Sequence, residues 1–135
     1  MGKSMKELLE ITEPDIRAVA EKLGWEYNQS EAGVGVAGTT NGIVFIGGMS
    51  DTYNAPAILA IERMILKYAL VSIGKEETLV TQYGLRLTEI IAQTVRVRYS
   101  LKQLNAPNFR TWLIVQIVKR LPKSVFESGQ EGGGE

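Results

Sequence analysis

The sequence predicts a mainly α-helical protein: a C-terminal helical bundle preceded by an N-terminal helix and a short Gly-rich β-hairpin. Three observations carry this reading. Apolar residues recur at helical spacing through most of the chain after Asn54. Thr12-Glu13-Pro14-Asp15 has the form of a capped helix start. Residues 25–48 are instead rich in strand-favouring residues and glycine around an Asn41-Gly42 turn signal.

Taken in order, Thr12 caps the first helix, Asp15 completes the box and Pro14 suits the first turn. Ile16, Val19, Ala20 and Leu23 share one face, and Gly24 is the stop. Strands are expected near 33–38 and 43–47. A lone hairpin is marginal in water, so this one must pack on helices or pair with another subunit. Asn54 is expected to cap a second helix, with Pro56 in its first turn and Gly74 at its end. A third is expected from about Glu76 to Leu104, although Arg96-Val97-Arg98-Tyr99 alternates like a strand. After the turn at Asn105-Ala106-Pro107, Asn108 is expected to cap a last helix running to Leu121. Phe109, Trp112, Leu113, Ile114, Val115, Ile117 and Val118 make that helix apolar nearly all round, a pattern that predicts subunit contacts. The expected organisation is an N-terminal arm at 1–54, a helical bundle at 55–123 and a polar Gly-rich tail at 124–135.

Composition narrows the chemistry. The 135 residues include no cysteine and no histidine, which removes thiolate chemistry, the commonest general base and the commonest metal ligand. No calcium-loop pattern is present, so no metal or cofactor is expected. Gly33-Val-Gly35-Val-Ala-Gly38 matches a dinucleotide fingerprint in spelling, but it leads into a strand where a phosphate-binding helix would be required. Glu62, Glu76, Glu77 and Glu89 read as surface charges and form no catalytic pair. A non-enzymatic binding protein is the expectation. Neither a membrane span of about 20 apolar residues nor a signal-peptide core is seen.

The net charge of zero hides an asymmetry. Residues 1–54 carry four Lys/Arg against eight Asp/Glu, residues 55–125 eleven against four, and residues 126–135 none against three. No acidic residue lies between Glu89 and Glu127, a stretch that holds Arg96, Arg98, Lys102, Arg110, Lys119, Arg120 and Lys123. Such a run suits a polyanion. Arg63 and Lys67 are one helical turn apart and share a face, as do Arg98 and Lys102. The candidate nucleic-acid-binding set is Arg63, Lys67, Arg86, Arg96, Arg98, Lys102, Arg110, Lys119 and Arg120. Tyr99, Phe109 and Trp112 interleave with these cations, a pattern found in base-stacking surfaces and, more often, in helix cores.

At Tyr83-Gly84-Leu85-Arg86, followed by Asn105-Ala106-Pro107 and an apolar helix ending at Pro122, the chain resembles the major capsid proteins of rod-shaped and filamentous archaeal viruses (rudiviruses, lipothrixviruses, tristromaviruses). The resemblance covers residues 56–123. It implies a virion protein, assembled in the host cytoplasm, that packages double-stranded DNA in a helical filament with itself and a second related capsid protein. The net-acidic first 54 residues depart from that family's basic DNA-wrapping arm, and the Gly-rich hairpin is foreign to it. Two other readings stand beside it: a single-stranded DNA-binding protein of a thermophilic archaeon, and an oligomeric adaptor without nucleic acid.

Overall fold

The computed structural model describes residues 8–30, 33–37, 44–73 and 88–126. The chain is mainly helical. Its described elements are α1 (Glu13–Leu23), β1 (Glu26–Ser30), β2 (Gly33–Ala37), β3 (Val44–Ile46), α2 (Asp51–Ile73), α3 (88–94), α4 (Leu101–Leu104) and α5 (Phe109–Arg120).

The start of α1 is as the sequence predicts. Thr12 Oγ1 accepts the Asp15 N–H and Asp15 Oδ2 accepts the Thr12 N–H, closing the capping box. Gly24 ends the helix in the left-handed region at φ 73°, where glycine has no Cβ to clash. Ile16, Val19, Ala20 and Leu23 are buried.

The predicted hairpin forms as β2 and β3, antiparallel with Val36 opposite Phe45. Its Asn41-Gly42 turn lies outside the described residues. The sequence reading missed a third strand. β1 pairs antiparallel with β2, Tyr27 opposite Val36, to make a three-stranded sheet in the order β1-β2-β3. The sheet therefore finds partners in its own chain, packing on α1 and, through β3, on α2. Gly47 lies at this contact: a Cβ there would stand 2.2 Å from Cδ1 of the buried Ile16 side chain, which would have to shift.

α2 begins three residues before the expected cap. Asn54 lies within its first turn and is fully buried, so its carboxamide has to be satisfied inside the protein. It accepts the Ile46 N–H at 3.0 Å and donates to the Met49 carbonyl and to Thr111 Oγ1, tying sheet, helix and α5 together.

The helix expected to reach Leu104 stops ten residues earlier. Val97 N–H bonds back to the Ala92 carbonyl at 2.8 Å and Arg96 N–H to the Gln93 carbonyl at 3.0 Å, the two bonds of a Schellman stop. Thr94, Val95 and Val97 are β-branched and resist helix. Ser100 with Gln103 then forms a second capping box that opens the single turn α4.

α5 is the centre of the core. Leu113, Ile114, Val115, Ile117 and Val118 are buried, with α1 on one side, α2 on another, and Val97, Val125 and Phe126 in the same cluster. This corrects the expectation that its all-round apolar surface needs other subunits: three remote segments of the same chain cover it. The expected cap also differs. Asn108 makes no capping bond. Asp51, at the start of α2, takes the Arg110 and Thr111 N–H groups at 2.9 and 2.8 Å instead. At the other end the Lys22 ammonium bonds the carbonyls of Val118, Lys119 and Leu121, while burial pushes its pKa below the ordinary value.

Candidate nucleic-acid interface

The structure sorts the candidate cations into two groups. Arg110 and Lys119 are engaged internally. Arg110 Nη2 lies 2.7 Å from Glu62 Oε1, and the Glu62 side chain is only 7% exposed, so this carboxylate is a buried partner and not the surface charge expected. Lys119 pairs with Asp15 of α1. Burial works to raise the Asp15 carboxyl, but bonds from Lys119 and Thr12 outweigh it and hold it below its ordinary value. Both cations serve the fold and are poorly placed to meet phosphate. Arg120 is exposed but folds back on its own helix, donating to the Gln116 carbonyl and Oε1 at 3.2 Å.

The second group is exposed. Arg63 and Lys67 stand exposed on one face of α2, as their spacing predicts. Arg96, Arg98 and Lys102 are exposed as well, and none of the five forms an ion pair with a described residue. Arg98 and Lys102 do not share a helix face as expected, because the helix has ended: Arg98 lies on the extended segment 97–100 and Lys102 on α4. Arg86, with the whole Tyr83-Gly84-Leu85-Arg86 motif, lies outside the described residues.

Arg96 has an unusual backbone. Its φ is 66°, making it the non-glycine residue with positive φ among the described residues. It occupies the left-handed position of the Schellman stop, where glycine is the usual occupant and a Cβ costs about 1–2 kcal/mol. With Gln93, Val97 and Arg98 it lines an open depression of about 350 Å³. Val97 is buried beneath, so the segment is anchored while its two arginines face solvent. Strain of this kind at a solvent-facing cation is a pointer to function. The sequence contained its signal, an arginine between two valines after a helical repeat, but not the backbone geometry.

The aromatic residues do not form a groove. The Tyr99 and Phe109 rings meet edge to face at 5.0 Å, and Phe109 stacks on Trp112 at 6.2 Å. All three pack in or against the core. No group of three or more carboxylates among the described residues could hold a metal, and no described helix is long and apolar enough to cross a membrane. Comparison with family models, curated proteins and solved structures found no match to this chain.

Proposed function

We propose that this is a non-enzymatic structural protein that binds double-stranded DNA through its phosphates, as the subunit of a helical nucleocapsid in an archaeal virion. The observation that carries the reading is the run of exposed cations Arg96, Arg98 and Lys102, none ion-paired with a described residue, in a stretch without an acidic residue and opened by an arginine held in a strained conformation. Arg63 and Lys67 extend the basic surface along α2. Guanidinium and ammonium groups on anchored backbone suit a phosphate lattice, and phosphate contacts carry no base information. The resemblance of residues 56–123 to filamentous-virus capsid proteins supplies the biological setting. A duplex is favoured over a single strand because Tyr99, Phe109 and Trp112, the aromatic residues that interleave with these cations, pack on one another in or against the core.

The test is a salt titration of duplex binding. With about four phosphate contacts, the slope of log K against log salt is about −3.6, with little dependence on base sequence. Replacing Arg96 and Arg98 together by alanine flattens the slope by about 1.8, whereas Arg120→Ala leaves it unchanged. A salt-independent affinity, or an equal effect of Arg120→Ala, refutes the assignment.

A further inference from the structure

Gln93, in the last turn of α3, lines one depression with Arg96, Val97 and Arg98. It is exposed, and its carboxamide makes no hydrogen bond with a described residue. A polar side chain of this kind is ordinary when it stands alone in water. Here it shares a space of about 350 Å³ with two arginines, and no carboxylate lines that space.

The backbone fixes how these side chains are spaced. Arg96 N–H bonds the Gln93 carbonyl at 3.0 Å, and Val97 N–H bonds the Ala92 carbonyl at 2.8 Å. Arg96 is held at φ 66° within this stop, and Val97 is buried in the core beneath it. Gln93, Arg96 and Arg98 therefore extend from one anchored piece of chain. A helix C-terminus by itself repels an anion, because its free carbonyls carry the negative end of the dipole. In this stop the Ala92 and Gln93 carbonyls are taken by N–H groups, and two guanidinium groups supply positive charge at the same edge.

We propose that Gln93 is a further DNA-binding residue, whose carboxamide N–H donates to a backbone phosphate oxygen held in this depression beside Arg96 and Arg98. The inference rests on the duplex reading and adds to it a contact of a different kind. The arginines act by charge, and the counterions they release make binding weaker as salt rises. A carboxamide carries no charge and releases no counterion. Its hydrogen bond to an ionised oxygen persists where attraction between distant charges is screened. Gln93 thus gives the site a grip that salt does not loosen. Base identity plays no part in it, since the acceptor is a phosphate.

The experiment is a titration of one DNA duplex with the full chain over a range of salt concentrations, with circular dichroism as the check of folding. Gln93→Ala lowers the affinity about three- to tenfold, by the same factor at every salt concentration. The slope of log K against log salt and the spectrum stay those of the wild type. Gln93→Lys places a cation beside the phosphate and steepens the slope by about 0.9. Gln93→Glu has no donor to offer and repels the phosphate, so it binds more weakly than Gln93→Ala. An affinity unchanged by Gln93→Ala, a deficit that varies with salt, or a slope indifferent to Gln93→Lys overturns the proposal. If Arg96→Ala weakens binding and Gln93→Ala does not, the duplex reading stands without this contact. A wild type that does not bind duplex removes both.

Discussion

Replacing Arg96 by glycine separates binding from folding, because the two respond in opposite directions. At φ 66° an arginine carries a Cβ penalty of about 1–2 kcal/mol that glycine escapes. Glycine gives back about 0.5–1 kcal/mol in the unfolded chain, where it has more freedom to lose. The exposed Arg96 side chain makes no ion pair with a described residue that offsets this. The net expectation is a gain of about 0.5–1 kcal/mol, or about 2–4 °C in Tm for a chain of this size. The same change removes one phosphate contact, flattening the salt slope by about 0.9. Arg96→Ala is the control: it loses the charge but keeps the strain, so it weakens binding equally with no gain in Tm. Thermal melts and salt titrations of the three proteins give the answer. A lower Tm for the glycine variant would mean that the arginine supports the fold, and unchanged DNA affinity would mean that its strain has no bearing on binding.

Other expectations concern the fold. Ile114→Asp or Val115→Asp places an unpaired carboxylate in a closed core and should cost about 4 kcal/mol or more, abolishing the folded monomer by circular dichroism. A folded variant that merely fails to assemble would refute the placement of α5. Arg110→Ala strands the buried Glu62 charge and should destabilise by about 2–3 kcal/mol, whereas Arg110→Met with Glu62→Leu should cost clearly less; equal losses in urea titrations would argue against a buried pair. Because the Asp15 carboxyl is held below its ordinary value, its contribution is complete above the unfolded pKa of about 4 and is lost as pH falls through the lowered one. Asp15→Asn should therefore flatten the acid limb of a Tm–pH curve, and an unchanged limb would contradict the pairing with Lys119. Lys22→Met removes the donor at the end of α5 and should cost about 1 kcal/mol, read as a lower denaturation midpoint.

Local signals were legible in the sequence wherever neighbours decide the structure. The box at Thr12 and Asp15, the stop at Gly24, the β2–β3 hairpin and the shared face of Arg63 and Lys67 all follow from spacing within a few residues. What escaped is what distant segments decide. β1 carries the polar sequence Glu26–Ser30, and only its pairing with β2 makes it a strand. Asn54 and Asn108 read as helix caps by residue type, but burial gave their carboxamides other partners up to 99 residues away. Glu62 read as a surface charge because its partner, Arg110, is 48 residues distant. Of the candidate cations, the sequence showed the number and the run without acidic residues. It could not show that Arg110 and Lys119 pair with carboxylates, since an ion pair between segments 48 or 104 residues apart leaves no local pattern.

The closure of α5 at both ends has a consequence for how the chain comes into being. Its first turn is completed by Asp51, its last by Lys22, and the loop before it holds Leu9. These partners all precede α5 in the chain. While the chain is being synthesised, α1 and α2 can pack on the sheet, but the faces that meet α5 stay uncovered until it emerges. Those contacts then close over sequence separations of about a hundred residues. A stop in translation before Phe109 would leave the faces of α1 and α2 that meet α5 uncovered and prone to aggregation.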